Sequence, residues 1–163
     1  RLNANLRQDK GYSYGYRSWM EWHQRSSLLM AGGAVQTAVT REALQETLRE
    51  FHDIGSDRPV TETEFETTQA AVLRQFPSSF ETSWQVLEEL TQIVSFDLPD
   101  DYYSTLSASI EAVSLAEVQR VAQERMAGDR LTLLVVGDLG VIEPGLLELG
   151  LPTRRVDHDG REM

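Results

Sequence analysis

The chain has 163 residues, 40% of them apolar and 25% charged, and a formal net charge of −11. These are ordinary globular proportions, no apolar run approaches the roughly 18–20 residues of a membrane span, and the acidity argues against nucleic acid as a partner. With no cysteine, disulfides, thiolate nucleophiles and cysteine-ligated zinc or iron–sulfur sites are excluded.

The length suits one domain over residues 1–163. The first stretch, RLNANLRQDK, places Leu2 and Leu6 at i,i+4 and reads as the last turns of a helix ended by Gly11. From Tyr12 to Trp22 aromatic and β-forming residues take over, with Tyr12, Tyr14, Tyr16, Met20 and Trp22 on one parity. HQRSS (23–27) reads as a turn and LLMAGGAVQ (28–36) as a second strand, which together predict a long antiparallel hairpin. Gly32-Gly33 marks a bulge or a close backbone approach within it.

Helices are then expected in series. Thr40 reads as the N-cap of a helix with Leu44, Leu48, Phe51 and Ile54 on its stripe, closed by Gly55. Thr61 and Glu64 form a capping box ahead of Phe65, Val72, Leu73 and Phe76, with Pro77 as the stop. A third helix carries Trp84, Leu87, Leu90 and Val94, and a fourth carries Tyr103, Leu106, Ile110 and Val113. Ser114 and Glu117 make another capping box, for a helix with Val118, Val121 and Met126. Gly128-Asp129 reads as a turn into LTLLVV (131–136), a continuous apolar run expected of a buried strand. A short helix around 144–149 and an extended TRRVDHDG tail follow.

Strands and helices are thus segregated, which predicts an α+β fold with helices packed on one face of an antiparallel sheet. The sheet is undersized for so many helices, since sheets usually run to about five or six strands. Either further strands lie upstream of Arg1, or an exposed edge pairs with another chain. The expectation is a fragment of a larger domain, with a homodimer as one way of closing the edge.

Few constellations suggest chemistry. His23, His52 and His158 stand in no H-x-x-E-H or H-E-x-x-H arrangement. His158, with Asp157, Asp159 and Glu162 nearby, reads better as a solvated acidic tail than as a cation site. There is no G-x-S-x-G elbow, and VVGDLG (135–140) lacks the spacing of a dinucleotide-binding turn. The remaining candidate is LRQDKGYSYGYRS (6–18), where Arg7, Lys10, Tyr12, Tyr14, Tyr16 and Arg17 crowd an otherwise acidic chain. The break at Gly11 could bring Arg7 and Tyr14 to one corner, a forked cation beside a phenolic donor, able to hold a carbonyl or an oxyanion. On composition alone, an aromatic strand under helices with Arg7 in a surface ion pair is the plainer reading.

The run LRQDKGYSYG resembles the Arg/Tyr motif of the insulinase/pitrilysin family of zinc metallopeptidases, the inverzincins. There a leucine-arginine at a helix end is followed by charged residues, a glycine and a tyrosine seven positions after the arginine, as in Arg7, Gly11 and Tyr14. The resemblance continues through the hairpin and the Thr61–Val113 helices to LTLLVVGD and LGLP, nearly the whole chain.

That resemblance implies two homologous α+β domains or subunits facing each other across a chamber. One binds zinc through H-x-x-E-H and a distal glutamate, and the other contributes the Arg/Tyr pair. This chain would be the second kind, starting partway through such a domain. It would have no cofactor of its own, a zinc-bearing homologous domain or subunit as partner and unfolded peptide as substrate. Arg7 and Tyr14 would serve as accessory catalytic and substrate-binding residues. The rivals are a catalytically silent assembly subunit of the same fold and a peptide-binding module using an open hairpin edge. The compartment stays open between the cell envelope and the cytoplasm of a bacterium.

Overall fold

A computed structural model of the protein describes residues 1–126 and 131–163. Among the described residues the architecture is mixed α+β, with several helices and a single antiparallel pair of strands. The chain divides into two compact units. The first holds Arg1–Met20, Leu29–His52 and residues 131–163, and the second holds Glu21–Leu28 and residues 53–126. No helix among the described residues is long and apolar enough to cross a membrane.

The first unit opens on a π-helix, Ala4–Asp9, in which the Lys10 amide reaches back five residues to the Asn5 carbonyl at 2.9 Å. Gly11, at φ 66°, ends it in the left-handed conformation the sequence predicts. Leu6 is fully buried and packs with Tyr16 and Ala43, with Leu2, Tyr12, Ala31 and Val35 around them. The expected hairpin is present as β1 (Arg17–Glu21) and β2 (Leu28–Gly32), preceded by an isolated bridge between Ser13 and Val35. Gly33 is a site of close approach: a Cβ there would lie 2.3 Å from the Gly15 carbonyl oxygen.

The single parity expected for the tyrosines does not hold. Tyr16 is buried and Tyr14 is exposed, because residues 14–16 run outside regular strand and lose the two-residue alternation.

A 3-10 turn, Thr37–Val39, leads into α1 (Thr40–Ile54). Thr40 is therefore the first helical residue and not a cap, and its hydroxyl donates back to the Thr37 carbonyl at 2.9 Å. The buried stripe of α1 is Thr40, Ala43, Thr47, Glu50 and Phe51, while Leu44 and Leu48 are only half-buried. Small Ala43 lets the helix approach Leu6 and Tyr16 closely, and this outweighs the larger apolar residues beside it. The last helix, α6 (Leu139–Leu147), is capped by the Asp138 carboxylate on the Gly140 amide at 3.0 Å. It comes close to α1 where a Cβ on Gly145 would lie 3.3 Å from that of Arg41.

The segment 131–136 corrects the expectation of a buried strand. It runs outside regular strand, with Leu134 and Val136 80% and 90% exposed. A strand requires a ladder partner, and among the described residues β1 and β2 pair only with each other. The turn expected at Gly128-Asp129 lies outside the described residues.

The second unit is helical. Capping boxes open α2 (Glu62–Gln75) at Thr61/Glu64 and α5 (Leu115–Arg125) at Ser114/Glu117, as the sequence predicts. A third box, Thr82/Gln85, opens α3 (Ser83–Phe96). Pro77 falls in a 3-10 turn, Phe76–Phe80, whose two phenylalanines meet Tyr103 of α4 (Tyr102–Ala112). The Phe80 and Tyr103 rings lie 5.4 Å apart edge to face. Burial, with the Glu89 carboxylate beside it, pushes the Tyr103 phenol above its ordinary range. The expected α3 stripe is reversed: Trp84, Leu87, Leu90 and Val94 are exposed, and Val86, Ile93 and Phe96 take the half-buried side.

Candidate functional site

One carbonyl holds the turn between Arg7 and Tyr14. The π-helix ends at Gly11, and the amides of Tyr12 and Ser13 both return to the Leu6 carbonyl, at 2.8 and 3.2 Å. The backbone that carries Tyr14 is thereby folded against the residue preceding Arg7. The turn expected at Gly11 is present, and Arg7 before it and Tyr14 after it are both exposed. A π-turn is an uncommon backbone, frequent at functional sites, and here it carries Arg7 on its exposed side.

The loop between Gly11 and Tyr16 is tied down on several sides. Ser13 is buried, and its hydroxyl lies 2.7 Å from the Ala34 carbonyl and 2.9 Å from that of Gly15. Gln36 donates its side-chain amide to the Gly11 carbonyl and its backbone amide to the Tyr12 carbonyl, both at 3.0 Å. The Tyr16 amide donates to the Asn3 side chain at 3.1 Å, and the Tyr16 and Thr47 hydroxyls are 3.2 Å apart. Tyr14 alone on this loop is thrown outward, 95% exposed.

Beneath the corner lies a polar contact that hydropathy does not disclose. The Asn5 side-chain amide donates to Glu46 and to Glu50 of α1, each at 2.8 Å. Lys10 stands 3.9 Å from Glu46, which Arg49 also bonds. Glu50 is buried. The signal in the sequence is the i,i+4 pair of like charges, Glu46 and Glu50, which opposes an isolated helix and requires a donor from elsewhere. Asn5 is that donor.

The exposed guanidinium and phenol can bind a carbonyl or anionic oxygen arriving from solvent. His158, in the C-terminal turn, is exposed and lies 3.7 Å from Asp159, the solvated arrangement its composition suggests.

No protein-family model matches the chain, and no curated protein matches it. Among solved structures, the fold is similar to a crystal structure described as a peptidase M16 inactive domain from Pseudomonas fluorescens, with a TM-score of 0.69 at 16% identity. The match covers 79% of this chain and 30% of that one, so the chain spans under a third of the length of this neighbour. At this identity the likeness establishes the fold.

Proposed function

We propose that this chain is the non-zinc portion of an insulinase/pitrilysin-type (peptidase M16) metalloendopeptidase, with Arg7 and Tyr14 as its substrate-facing pair. The observation that carries this reading is the presentation of Tyr14, 95% exposed between buried Ser13 and buried Tyr16 on a loop tied by Gln36, Asn3 and Ser13. An aromatic side chain held out on a fixed loop adds little to the fold. It binds a ligand without first being ordered.

In this reading the Tyr14 hydroxyl donates to the scissile carbonyl or to the oxyanion that develops on it, and Arg7 holds the peptide through its forked donors. Zinc would belong to the partner domain, since His23, His52 and His158 do not stand in an H-x-x-E-H arrangement, and there it would supply the activated water. The task of this chain is to bind and orient the peptide. The fold likeness to a domain described as inactive supports placement on the non-catalytic side. That description also favours the second reading, a silent assembly subunit.

Cleavage of a fluorogenic peptide with zinc separates the two. The chain is assayed with and without an H-x-x-E-H-bearing homologue from the same genome, after sedimentation has shown that the two associate. Activity only in the mixture, falling by about two to three powers of ten in Tyr14→Phe, supports the peptidase reading. Silence in an associated mixture gives the silent subunit, and full activity of Tyr14→Phe removes Tyr14 from the mechanism.

A further inference from the structure

Helix α3 is apolar on two opposite sides. Val86, Ile93 and Phe96 occupy its half-buried side, while Trp84, Leu87, Leu90 and Val94 are 68%, 52%, 54% and 83% exposed on the other. A helix at the surface normally turns polar residues to water, and a contiguous exposed apolar strip marks an interaction surface.

The spacing of that strip is specific. Trp84, Leu87, Thr91 and Val94 follow at intervals of three, four and three, the a/d spacing of a helix that pairs with another helix. Leu90 widens the seam. Its polar atoms are already engaged within the helix: the Trp84 indole donates to Glu88 at 3.0 Å, and the Thr91 hydroxyl donates to the Leu87 carbonyl at 2.7 Å. What remains outward is apolar surface over about 15 Å of helix, flanked by the Glu88 carboxylate.

Charge selects the occupant. Between Arg74 and Arg120 the sequence has no lysine, arginine or histidine, while it carries eight carboxylates from Glu81 to Glu117 inclusive. A second copy of this helix laid on the seam would bring the Glu88 carboxylates of two acidic segments together, with no cation on either helix to offset them. We propose that the outward face of α3 docks a basic amphipathic helix of a partner polypeptide, its apolar residues on Trp84, Leu87, Thr91 and Val94 and its lysines or arginines toward Glu88. This inference does not depend on Arg7 or Tyr14.

The test is fluorescence anisotropy of labelled synthetic helices titrated with the 163-residue chain. One probe carries leucine at the seam positions and lysine at the flanks, a second has glutamate at the flanks, and a third keeps the lysines but replaces the leucines by glutamine. The first should bind, more weakly as salt is raised, and the other two should bind at least tenfold less. Leu87→Asp and Val94→Ser, at exposed positions, should keep the circular dichroism of the parent and weaken binding tenfold or more.

The sign of the Leu87→Asp effect is decisive. General attraction of a basic peptide to an acidic chain would tighten with the added carboxylate, and that result overturns the proposal. Equal binding of the glutamate-flanked or glutamine-seam probe also overturns it. So does a dimer in sedimentation that Leu87→Asp dissociates, which assigns the face to a second copy.

Discussion

The Asn5 amide nitrogen lies 2.8 Å from a carboxylate oxygen of Glu50, a buried contact between residues forty-five positions apart. A second bond of the same length goes from that nitrogen to Glu46, so both of its N–H groups serve carboxylates on α1. One neutral side chain thus fixes the π-helix to α1. Because Arg7 sits two residues further along the same short helix, the contact also sets where the proposed substrate-facing cation leaves the fold.

Asn5→Ala should destabilise the protein by about 2 kcal/mol, since two hydrogen bonds to carboxylates are lost, the one to Glu50 in a buried setting. Asn5→Asp is nearly isosteric but sets a third carboxylate against Glu46 and Glu50 at neutral pH. It should therefore cost more than alanine at pH 7 and recover as the pH is lowered and the carboxylates take up protons. Urea midpoints of both variants at neutral and acid pH check this. An aspartate variant as stable as the parent at pH 7 would show that the contact does not hold the corner.

Gly33→Ala should be costly where Gly32→Ala is not. A Cβ on Gly33 would stand 2.3 Å from the Gly15 carbonyl oxygen and 3.0 Å from the Tyr16 ring, whereas one on Gly32 meets nothing within 4 Å. Overpacking of this kind costs about 1–3 kcal/mol. It should also loosen the loop that carries Tyr14, which faster hydrogen exchange at the Tyr12 and Ser13 amides would register.

The sequence discloses local features here better than long-range ones. Gly11 and the Thr61/Glu64 and Ser114/Glu117 boxes were legible because each rests on backbone chemistry within a few residues, and Gly33 because a glycine inside a strand marks a close approach whatever its partner. The buried faces of α1 and α3 were not, because burial depends on what a helix meets. Ala43 and Glu50 are inside through Leu6 and Asn5, partners some forty positions away that periodicity cannot see. An apolar stripe on α3 marks one side as readily as the other, and Val86, Ile93 and Phe96 take the inward role. The segment 131–136 has the composition of a strand and lacks a ladder to join. At the candidate site the turn at Gly11 was legible in the sequence, whereas the Asn5 contact with α1 became visible only in three dimensions.

The two tyrosines flanking Gly15 should respond oppositely to loss of the hydroxyl. Tyr14 is 95% exposed, so Tyr14→Phe should change stability by less than about 0.5 kcal/mol. Tyr16 is buried with its hydroxyl 3.2 Å from that of Thr47, so Tyr16→Phe should cost about 1 kcal/mol. Thermal or urea midpoints measured side by side decide it. A Tyr14→Phe variant destabilised as much as Tyr16→Phe would mean that the Tyr14 hydroxyl serves the fold, and its activity loss could no longer be read as catalytic.

The start of α5 should be acid-sensitive in a defined direction. Bonds from the Ser114 hydroxyl and from the Ser114 backbone amide hold the Glu117 carboxyl below its ordinary value of 4.5. A group whose pKa is lowered on folding stabilises the fold at pH values above its unfolded pKa, and that contribution fades as the pH falls through the folded value. The capping contribution of Glu117 should therefore be complete at neutral pH and decline below pH 4.5. Glu117→Gln retains a side-chain oxygen for the Ser114 amide but cannot titrate, so its thermal midpoint should fall less steeply between neutral and acid pH than that of the parent. Ser114→Ala removes the cap itself and should cost about 1 kcal/mol at neutral pH. A Glu117→Gln profile parallel to the parent's down to acid pH would show that the capping carboxylate contributes nothing to the acid limb.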